Sequence, residues 1–489
     1  MEHIPKEGFL PAPDAMRQPT QGAQPPHRSF AADAWRRFRK NHASVAAAGI
    51  LLLLLLLFAI LTPMLSPYTV ATRDGYYKNA LPKVDALSLL GWDGCQVRSC
   101  SQAARDYYEG IGIEGGQPAV KAIREKSTDP LTGQHRYVLD IDTYAQVGFQ
   151  YVDISQGELD RIRAYEEETG LQVLYPLPRN YQTGFLAVPG SANLWYRLAD
   201  ESKFSTGLSA FHDENGNGIY VADYLLDEAG QPVYAVRNQT GYRCRVLYSA
   251  YYRYCNGYDP VHPFGTNQHG QDILVCLAYG ARLSFLLALG VSAINFCIGI
   301  AYGAVEGFYG GRIDLTMERV ADILAAVPFI VVATLFQLHL AQQAGPVLSL
   351  LFAFVLTGWI GIASRVRSQF YRFKHAEYVL AARTLGASDR RLIFRHILPN
   401  ALGTIITGTI LMIPGVIFSE SMLSYLGIVN LEASKLTSIG TMLAGGRAYL
   451  GSFPHILFFP AAFIALLQIS FNLFGNGLRD ALNPTLQQE

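Results

Sequence analysis

The sequence lacks several signatures that mark enzymes and nucleic-acid-binding proteins. It has no GxxxxGK[ST] phosphate-binding loop, no His-rich metal-binding helix and no GxSxG nucleophile elbow. Its 39 basic and 39 acidic side chains cancel, which argues against a nucleic-acid-binding protein. We therefore expect a chain that hydrolyses nothing alone, with no catalytic residue, no metal site and no cofactor of its own.

Cysteine is scarce, with 6 in 489 residues, and no two of them form a CxxC pair. Two of them lie in or beside apolar runs. The other four lie in a polar region, and we expect them to form two disulfides if that region is exported. The simplest pairing joins Cys95 to Cys100 and Cys244 to Cys255, and the two other pairings stay open.

Long apolar runs are what the sequence has in abundance, since 50% of its residues are hydrophobic and only 16% are charged. Val45–Leu65 matches the roughly 20 residues that a helix needs to cross a bilayer. The cations of the preceding segment, Ala34–His42, place the N-terminus in the cytoplasm by the positive-inside rule. A signal peptide is the alternative, but the run is too long and no small-residue cleavage site follows it.

Five further spans are predicted downstream, which makes six transmembrane helices. They are Leu283–Val305, Val320–Leu340, Val347–Ala363, Ala401–Tyr425 and Ile456–Leu473. The segment His262–Phe285 before them is expected to form an interfacial helix. Because successive spans cross the membrane in opposite directions, six spans place both termini in the cytoplasm and residues 66–258 outside it.

Three residues within the predicted spans are candidates for the pathway or a gate. Pro328 and Pro414 predict kinks, because proline frees a backbone carbonyl of the preceding turn. Glu420 would be costly facing lipid, so we expect it to face water or protein.

Residues 66–258, hereafter the excursion, contain no membrane-length run, and we predict an α+β domain. Ser155 followed by Glu158 predicts a helix start, and Gly170 predicts its end. Asp213–Gly218 resembles half of a calcium loop, but Tyr224 stands where the bidentate Glu is needed, so a hairpin turn is expected. Strands are predicted at Arg136–Ile141, Gly148–Ile154, Leu171–Leu174, Ile219–Leu226, Val233–Val236 and Tyr242–Tyr252.

A basic amphipathic stretch, Ser364–Asn400, lies between two predicted spans. Both its charge and the count of spans place it on the cytoplasmic side. It contains Ala381-Ala382, then Gly386 four residues after the second alanine, then Leu398-Pro399. We interpret it as the surface that touches a cytoplasmic partner.

This motif resembles the one shared by permease subunits of ATP-binding-cassette importers. The sequence EYVLAARTLGAS…RHILPN is similar to the corresponding segment of the second (C-type) permease of the dipeptide/oligopeptide/nickel class. Four other regions agree with that subunit in the same order: AWRRFRKNH, HPFGTNQHGQD with GARLSF, SMLSYLGI and FNLFGNGLRDALNP. The resemblance covers roughly Ala34–Leu65 and His262–Pro484 and leaves out the excursion. Leu380 departs from the motif, which has Glu there, and Glu377 lies one turn earlier.

The resemblance implies an all-α polytopic membrane protein with the type I importer permease fold and an inserted α+β extracytoplasmic domain. Its parts would be a disordered cytoplasmic tail (1–33), a lead-in with the first transmembrane helix (34–65), the excursion (66–258), a permease core (259–484) and a short tail (485–489). The implied location is the bacterial cytoplasmic membrane.

The implied function is that of one half of the pore of an ATP-driven importer for di- or oligopeptides. The implied partners are a second permease, two ATPase subunits that bind ATP and Mg, an extracytoplasmic solute-binding protein, a peptide substrate and membrane lipid, with no nucleic acid. Coupling to the ATPases would run through residues 377–400, and the residues expected to carry it are Glu377, Ala381, Ala382, Gly386, Ala387, Ser388, Arg391, Leu398 and Pro399.

Two other function classes remain as competitors. A membrane-anchored receptor or sensor would use the excursion as its working part, and deleting the excursion would abolish its whole function. A secondary transporter is weakened because neither an internal repeat nor an intramembrane carboxylate pair is evident.

Overall fold

The computed structural model describes residues 42–482 except 129, 131–132, 134, 180–190, 194–195, 198–207, 213–217, 240, 430 and 432–435. The predicted tail, the basic lead-in before residue 42, the turn at 213–217 and residues 483–489 lie outside the described residues. Within the described part, the helices in chain order are α1 (His42–Leu65), α2 (Gln102–Gly115), α3 (Gln156–Thr169), α4 (Tyr248–Asn256), α5 (Ile273–Tyr309), α6 (Gly311–Ala325), α7 (Phe329–His339), α8 (Ala341–Ala344), α9 (Pro346–Gly358), α10 (Ile360–Phe373), α11 (Glu377–Thr384), α12 (Asp389–Arg391), α13 (Leu398–Ile410), α14 (Ile413–Tyr425), α15 (Ile439–Gly446) and α16 (His455–Leu482).

Long apolar helices form the larger part of the structure. In the described part, five helical stretches are long and apolar enough to cross a membrane, and a bent pair, α6 with α7, makes up to six. The five are Ala46–Leu65, Ile273–Tyr309, Pro346–Phe373, Asp389–Tyr425 and His455–Arg479. The chain is therefore a polytopic membrane protein.

The second span differs from its prediction at its beginning. Residues 262–272 form turns instead of an interfacial helix, and α5 then runs without a break for 37 residues. Asp272 caps this helix, because its Oδ1 accepts a hydrogen bond of 2.8 Å from the Val275 amide. At 1.5 Å per residue α5 is about 55 Å long, which exceeds the bilayer thickness.

The kink predicted at Pro328 is present, and the helix is interrupted just before Pro414. α6 and α7 meet at 71° at a break that contains Pro328. Pro414 lies in the first turn of α14, just after α13 ends at Ile410. The Pro414 carbonyl accepts a hydrogen bond of 3.2 Å from Gln468 Nε2 on α16. Proline therefore interrupts these spans, as its missing N–H requires.

The excursion contains helices and short antiparallel strands. The strands are β1 (Cys95–Ser101), β2 (Val120–Thr128), β3 (His135–Asp142), β4 (Phe149–Ile154), β5 (Leu174–Tyr175), β6 (Tyr196–Arg197), β7 (Leu208–His212), β8 (Gly218–Asp223), β9 (Ala235–Arg237) and β10 (Tyr242–Leu247). They pair in the orders β1-β3-β2, β4-β10-β5 and β6-β8-β7, and β9 also pairs with β10. β7 and β8 are antiparallel neighbours that flank residues 213–217, where the hairpin turn is predicted.

The helix predicted after Ser155 is confirmed. Ser155 Oγ accepts a hydrogen bond of 3.2 Å from the Glu158 amide, and Gly170 ends α3 with a φ of 70°. The strand predicted for Tyr242–Tyr252 is wrong beyond Leu247, because α4 begins at Tyr248. Helical spacing places Tyr248 and Tyr252 on one face, where their rings lie 5.3 and 5.7 Å from that of Tyr77.

A strap, residues 74–94, ties the excursion to the turns before α5. The Asp74 amide donates to the Gly270 carbonyl at 3.2 Å, and the Asn79 amide donates to Asn267 at 3.1 Å. Lys83 continues the contact through its amide, which lies 3.1 Å from the His262 carbonyl. The strap therefore fixes the excursion at the end of the bundle where α5 begins.

The expected disulfides are not formed, and all four candidate cysteines are thiols. Cys95 and Cys100 lie five residues apart on β1, so their side chains point to opposite faces and lie too far apart to bridge. Cys244 is buried in β10, whereas Cys255 is exposed on α4. Burial raises the pKa of the Cys244 thiol to about 11, so the thiol stays protonated near neutral pH.

A buried ion pair joins α2 to β10 at the centre of the excursion. The Arg245 guanidinium binds both carboxylate oxygens of Glu114 at 2.5 and 2.7 Å, and both side chains are at most 5% exposed. Its Nε donates to the Ala192 carbonyl at 2.7 Å, and the guanidinium lies 4.0 Å from the Phe149 ring centroid. Tyr224 adds a hydroxyl bond of 2.9 Å to Glu114. Since both charges are fully bonded, removing one partner leaves the other unpaired.

We predict that Arg245→Met destabilises the excursion by about 3–5 kcal/mol, because Glu114 would remain buried without its partner. Arg243→Met is the matched control, since Arg243 pairs with Asp153 on the same strand but both side chains are 47% exposed. Its cost should stay below about 1 kcal/mol. Amide hydrogen exchange of β4 and β10 in the full chain measures both. If amide exchange were accelerated equally in the two variants, the buried ion pair would have no special role in the stability of the excursion.

Candidate functional site

The motif segment, residues 374–400, is mostly helical. α10 ends at Phe373, and two short helices follow it, α11 and α12. A π-helical turn, Leu392–Ile397, then joins α12 to α13. The segment lies where α5 ends, because Lys374 Nζ donates to the Gly307 carbonyl at 3.2 Å. It is therefore at the opposite end of α5 from the excursion.

Gly386 separates the two short helices in a left-handed conformation, with a φ of 81°. Its amide bonds the Arg383 carbonyl at 3.0 Å, and the Ala387 amide bonds the Ala382 carbonyl at 3.1 Å. These two bonds form the Schellman motif that ends a helix, in which glycine is favoured. A side chain added at Gly386 would meet no atom of the described residues within 4 Å. The glycine thus faces open space.

The inner face of the motif segment is anchored in a hydrophobic cluster. Val379, Leu392 and Ile397 are each fully buried and pack with Phe308 of α5 and Phe370 of α10. The outer face is exposed and mixes apolar and basic side chains. Leu385, beside Gly386, is 88% exposed, and Phe394 is 58% exposed. An apolar side chain this exposed at the tip of an anchored segment suits contact with another protein.

All nine predicted motif residues lie on the motif segment, and six of them are exposed. Pro399 lies in the first turn of α13, and the wider π-helical turn before it accommodates the missing proline N–H. Ala382, Ala387 and Leu398 are half-buried. The exposed members are Glu377, Ala381, Gly386, Ser388, Arg391 and Pro399.

A glycine stripe on α5 sets how closely α10 approaches. Gly299, Gly303 and Gly307 recur every four residues, and an added Cβ at each would lie 2.3–2.6 Å from an α10 atom. Small residues at this spacing let two membrane helices pack with their backbones close together. This stripe is visible in the sequence as G-x-x-x-G-x-x-x-G and was not used in the sequence interpretation.

Arg367 on α10 binds three carboxylates next to the motif segment. Its guanidinium reaches Asp314 at 2.6 and 2.9 Å and Glu318 at 2.8 and 3.0 Å, both on α6. Glu306, near the end of α5, lies 3.7 Å from its Nε. The Tyr371 hydroxyl also donates to Asp314. This network fastens three helices together, and sequence reasoning missed it because Asp314 and Glu318 lie about 50 residues before Arg367.

Glu420 faces neither lipid nor a cavity but a cage of serines. It is 1% exposed, and the hydroxyls of Ser284 and Ser424 each donate to it at 3.1 Å. Ser421 adds a longer contact of 3.5 Å. The carboxylate therefore links α14 to α5. Pro328 and Pro414 each lie at a helix break, whereas Glu420 lies within α14.

Within the described ranges, no three His, Cys, Asp or Glu side chains group as metal ligands would. His262 instead pairs with Asp272, because its Nδ1 lies 2.9 Å from Oδ2. The His262 ring packs at a tilt against the Tyr68 ring, with 4.5 Å between the ring centroids. The exposed apolar tip of the motif segment suits docking on another protein.

Comparison with known proteins gives two family matches. Residues 284–488 match the model described as "binding-protein-dependent transport system inner membrane component". Residues 29–82 match the model of the "N-terminal TM domain of oligopeptide transport permease C". Neither match includes residues 83–283, which hold most of the excursion.

Characterised relatives match over the same region. The oligopeptide transport system permease protein OppC of Bacillus subtilis is 43% identical over 227 residues, which are 46% of this chain and 73% of the relative. The dipeptide transport system permease protein DppC of Bacillus subtilis is 40% identical over 228 residues (46% and 70%). OppC of Escherichia coli K12 is 35% identical over 223 residues (46% and 72%).

Among solved structures, an inward-facing MetNI methionine ABC transporter chain aligns with a TM-score of 0.35 at 15% identity. The alignment covers 42% of this chain and 96% of that one.

We predict that Arg367→Met lowers the stability of the purified chain by about 2–3 kcal/mol, because three carboxylates would lose their shared cation. Arg319→Met on α6 is the matched control, since the Arg319–Asp322 pair is 74% and 58% exposed. That change should cost less than about 1 kcal/mol. Thermal unfolding in detergent compares them. A control that is destabilised as much as Arg367→Met would refute a special role for the network.

Proposed function

The chain belongs to the OppC family of peptide ABC-importer permeases, and we propose that it forms one half of the pore of an ATP-driven importer of di- or oligopeptides. The observation that carries the proposal is the anchored motif segment with its exposed tip at Leu385 and Gly386. A related permease would form the other half of the pore. With α6 and α7 counted as one bent span, the chain would have six transmembrane helices arranged in the type I importer permease fold.

The motif segment would seat in a groove of an ATPase subunit. The expected contacts are Glu377, Ala381, Ala382, Gly386, Ala387, Ser388 and Arg391, with Leu398 and Pro399 joining the segment to α13. The partners would bind the ATP and Mg, since this chain has no phosphate-binding loop. Closure of two ATPase subunits would then push the segment and, through Arg367 and the glycine stripe, move α5 and α10 together.

Orientation follows from the same assignment. The motif segment and both termini would lie in the cytoplasm of a bacterium, and the excursion would lie outside the cytoplasmic membrane. Glu420 and the breaks at Pro328 and Pro414 would serve as a latch and two hinges of the pathway. The serine cage supports a latch, because it ties α14 to α5 without exposing the carboxylate.

We predict that Gly386→Trp lowers transport and substrate-stimulated ATP hydrolysis by at least about tenfold, because the indole would occupy the space where an ATPase subunit docks. Gly427→Trp is the matched control. Gly427 also has a positive φ, 76°, and open space around it, but it follows α14 at the other end of the bundle. Both variants carry a similar backbone cost of about 1–2 kcal/mol.

ATP hydrolysis and uptake by the reconstituted complex measure both changes. Full activity of Gly386→Trp would contradict the proposed docking surface, and so would equal losses in the two variants.

The excursion would dock the extracytoplasmic solute-binding protein beside the pore mouth. Its contacts with the outer end of the bundle support this position, since the Trp92 ring lies 6.5 Å from that of Phe459 on α16. Strand β2 forms an edge of its sheet, and the residues Lys121–Thr128 are all exposed. A charged, unpaired edge is available to a partner protein.

We predict that a photo-cross-linker at Glu125 on β2 captures the solute-binding protein in the assembled complex. A cross-linker at Glu167, exposed on α3, serves as the comparison. No adduct from the excursion in a complex that still transports would overturn the docking role.

Replacement of residues 95–247 by a flexible linker distinguishes a permease from a receptor or sensor. A permease keeps the coupling to ATP hydrolysis, whereas a sensor loses all function.

A further inference from the structure

A cavity of about 310 Å³ lies among α5, α7, α9 and the junction of α13 with α14. This volume is at the lower end of the range of about 300–1,000 Å³ found for small-molecule sites. Its walls include the apolar side chains of Phe329, Phe354 and Met412. Its polar groups come from Asn295, Thr357 and Ser419, and no charged side chain lines it.

Helix ends from three spans meet at this cavity. Phe329 is the first residue of α7 after the bend at Pro328. Thr357 lies in the last turn of α9, close to the residue, Trp359, that joins α9 to α10. Met412 lies between α13 and α14. Irregular backbone at membrane depth is tolerated where it lines a cavity, and broken helices in transporters mark the places where cargo is bound.

Asn295 has an unsatisfied hydrogen-bonding atom at this place. The side chain is 1% exposed, and its Nδ2 donates to the Phe354 carbonyl at 3.4 Å. Because the amide nitrogen faces that carbonyl, Oδ1 points the other way, and no described residue donates to it. A buried amide oxygen without a donor costs free energy, and an intramembrane polar group of this kind marks a functional position.

We propose that Asn295 Oδ1 accepts a hydrogen bond from a backbone N–H of the peptide during its passage. The proposal rests on the function proposed above and adds the contact that recognises the cargo. A peptide fits because its backbone supplies the missing donor whatever its sequence, and the apolar walls accept varied side chains. The absence of charge in the lining favours the neutral backbone over a charged terminus.

Movement at the helix breaks gives the peptide access to this oxygen. Asn295 is shielded in the present conformation, while Gly415 at the rim of the cavity is exposed. α7 and α14 each begin at a break that borders the cavity, so rotation about these breaks uncovers the amide. The second permease would close the exposed rim.

The test compares uptake of a peptide with uptake of the same peptide N-methylated at one backbone nitrogen, scanned over all positions. The complete importer is reconstituted with its solute-binding protein, and the ratio of the two uptakes is measured. Discrimination by the binding protein is common to all variants, so a change in the ratio reports on the permease. Asn295→Leu should lower the ratio by about three- to tenfold at one methylation position at least, as expected for one hydrogen bond.

Ser292→Ala is the matched control. Ser292 lies one turn earlier on α5, is 5% exposed and also has an unpaired oxygen, but it does not line the cavity. It should keep the wild-type ratio. ATP hydrolysis stimulated by the loaded binding protein checks assembly, and Asn295→Ala replaces the leucine variant if that variant does not assemble.

An unchanged ratio for Asn295→Leu at every methylation position, with wild-type peptide uptake intact, would overturn this inference alone. An equal loss of the ratio in Ser292→Ala would overturn it too, because the effect would then be general to α5. Failure of the wild-type importer to take up any peptide would overturn the proposed function and, with it, the peptide contact.

Discussion

The Arg367 guanidinium, shared by carboxylates from two other helices, is the interaction on which the motif end of the molecule depends. It joins α10 to Asp314 and Glu318 of α6 and approaches Glu306 of α5. These helices also pack through the glycine stripe, where small residues allow close approach. The motif segment continues directly from α10, so this junction decides where its exposed tip lies.

A single helix connects the two ends of the molecule. α5 starts at the Asp272 cap, where His262 and the strap of the excursion are fixed, and it ends where Phe308 packs under the motif segment. Because a continuous helix transmits displacement along its axis better than a jointed one, α5 is suited to couple events at its two ends. The jointed spans, α6 with α7 and α13 with α14, meet α5 at the cavity. The continuous helix and the broken ones thus share this place in the bundle.

The features that the sequence predicted correctly are those with local causes. Long apolar runs predicted the spans, proline predicted the breaks at Pro328 and Pro414, and Ser155 predicted the start of α3. The two short helices on either side of Gly386 also have a local cause, because a positive φ after a helix favours glycine.

The features that were missed depend on contacts distant in sequence. The aromatic residues from Tyr248 onward favour a strand by their local preference. The packing of Tyr248 against the Tyr77 ring favours the helix that the structure shows. The pairing of Cys95 with Cys100 followed from nearness in sequence, whereas a continuous strand keeps them apart. Partners of Arg367 and Glu420 come from other helices, and no local pattern identifies them.

The central claim is that the tip of the motif segment docks on an ATPase subunit. A photoreactive residue in place of Leu385, which is 88% exposed, tests it directly in the complex purified from membranes. The comparison position is Leu426, which follows α14 at the opposite end of the bundle from the motif segment. The account predicts a covalent adduct between position 385 and an ATPase subunit, and none from position 426. A complex that hydrolyses ATP but yields no ATPase adduct from position 385 would contradict it.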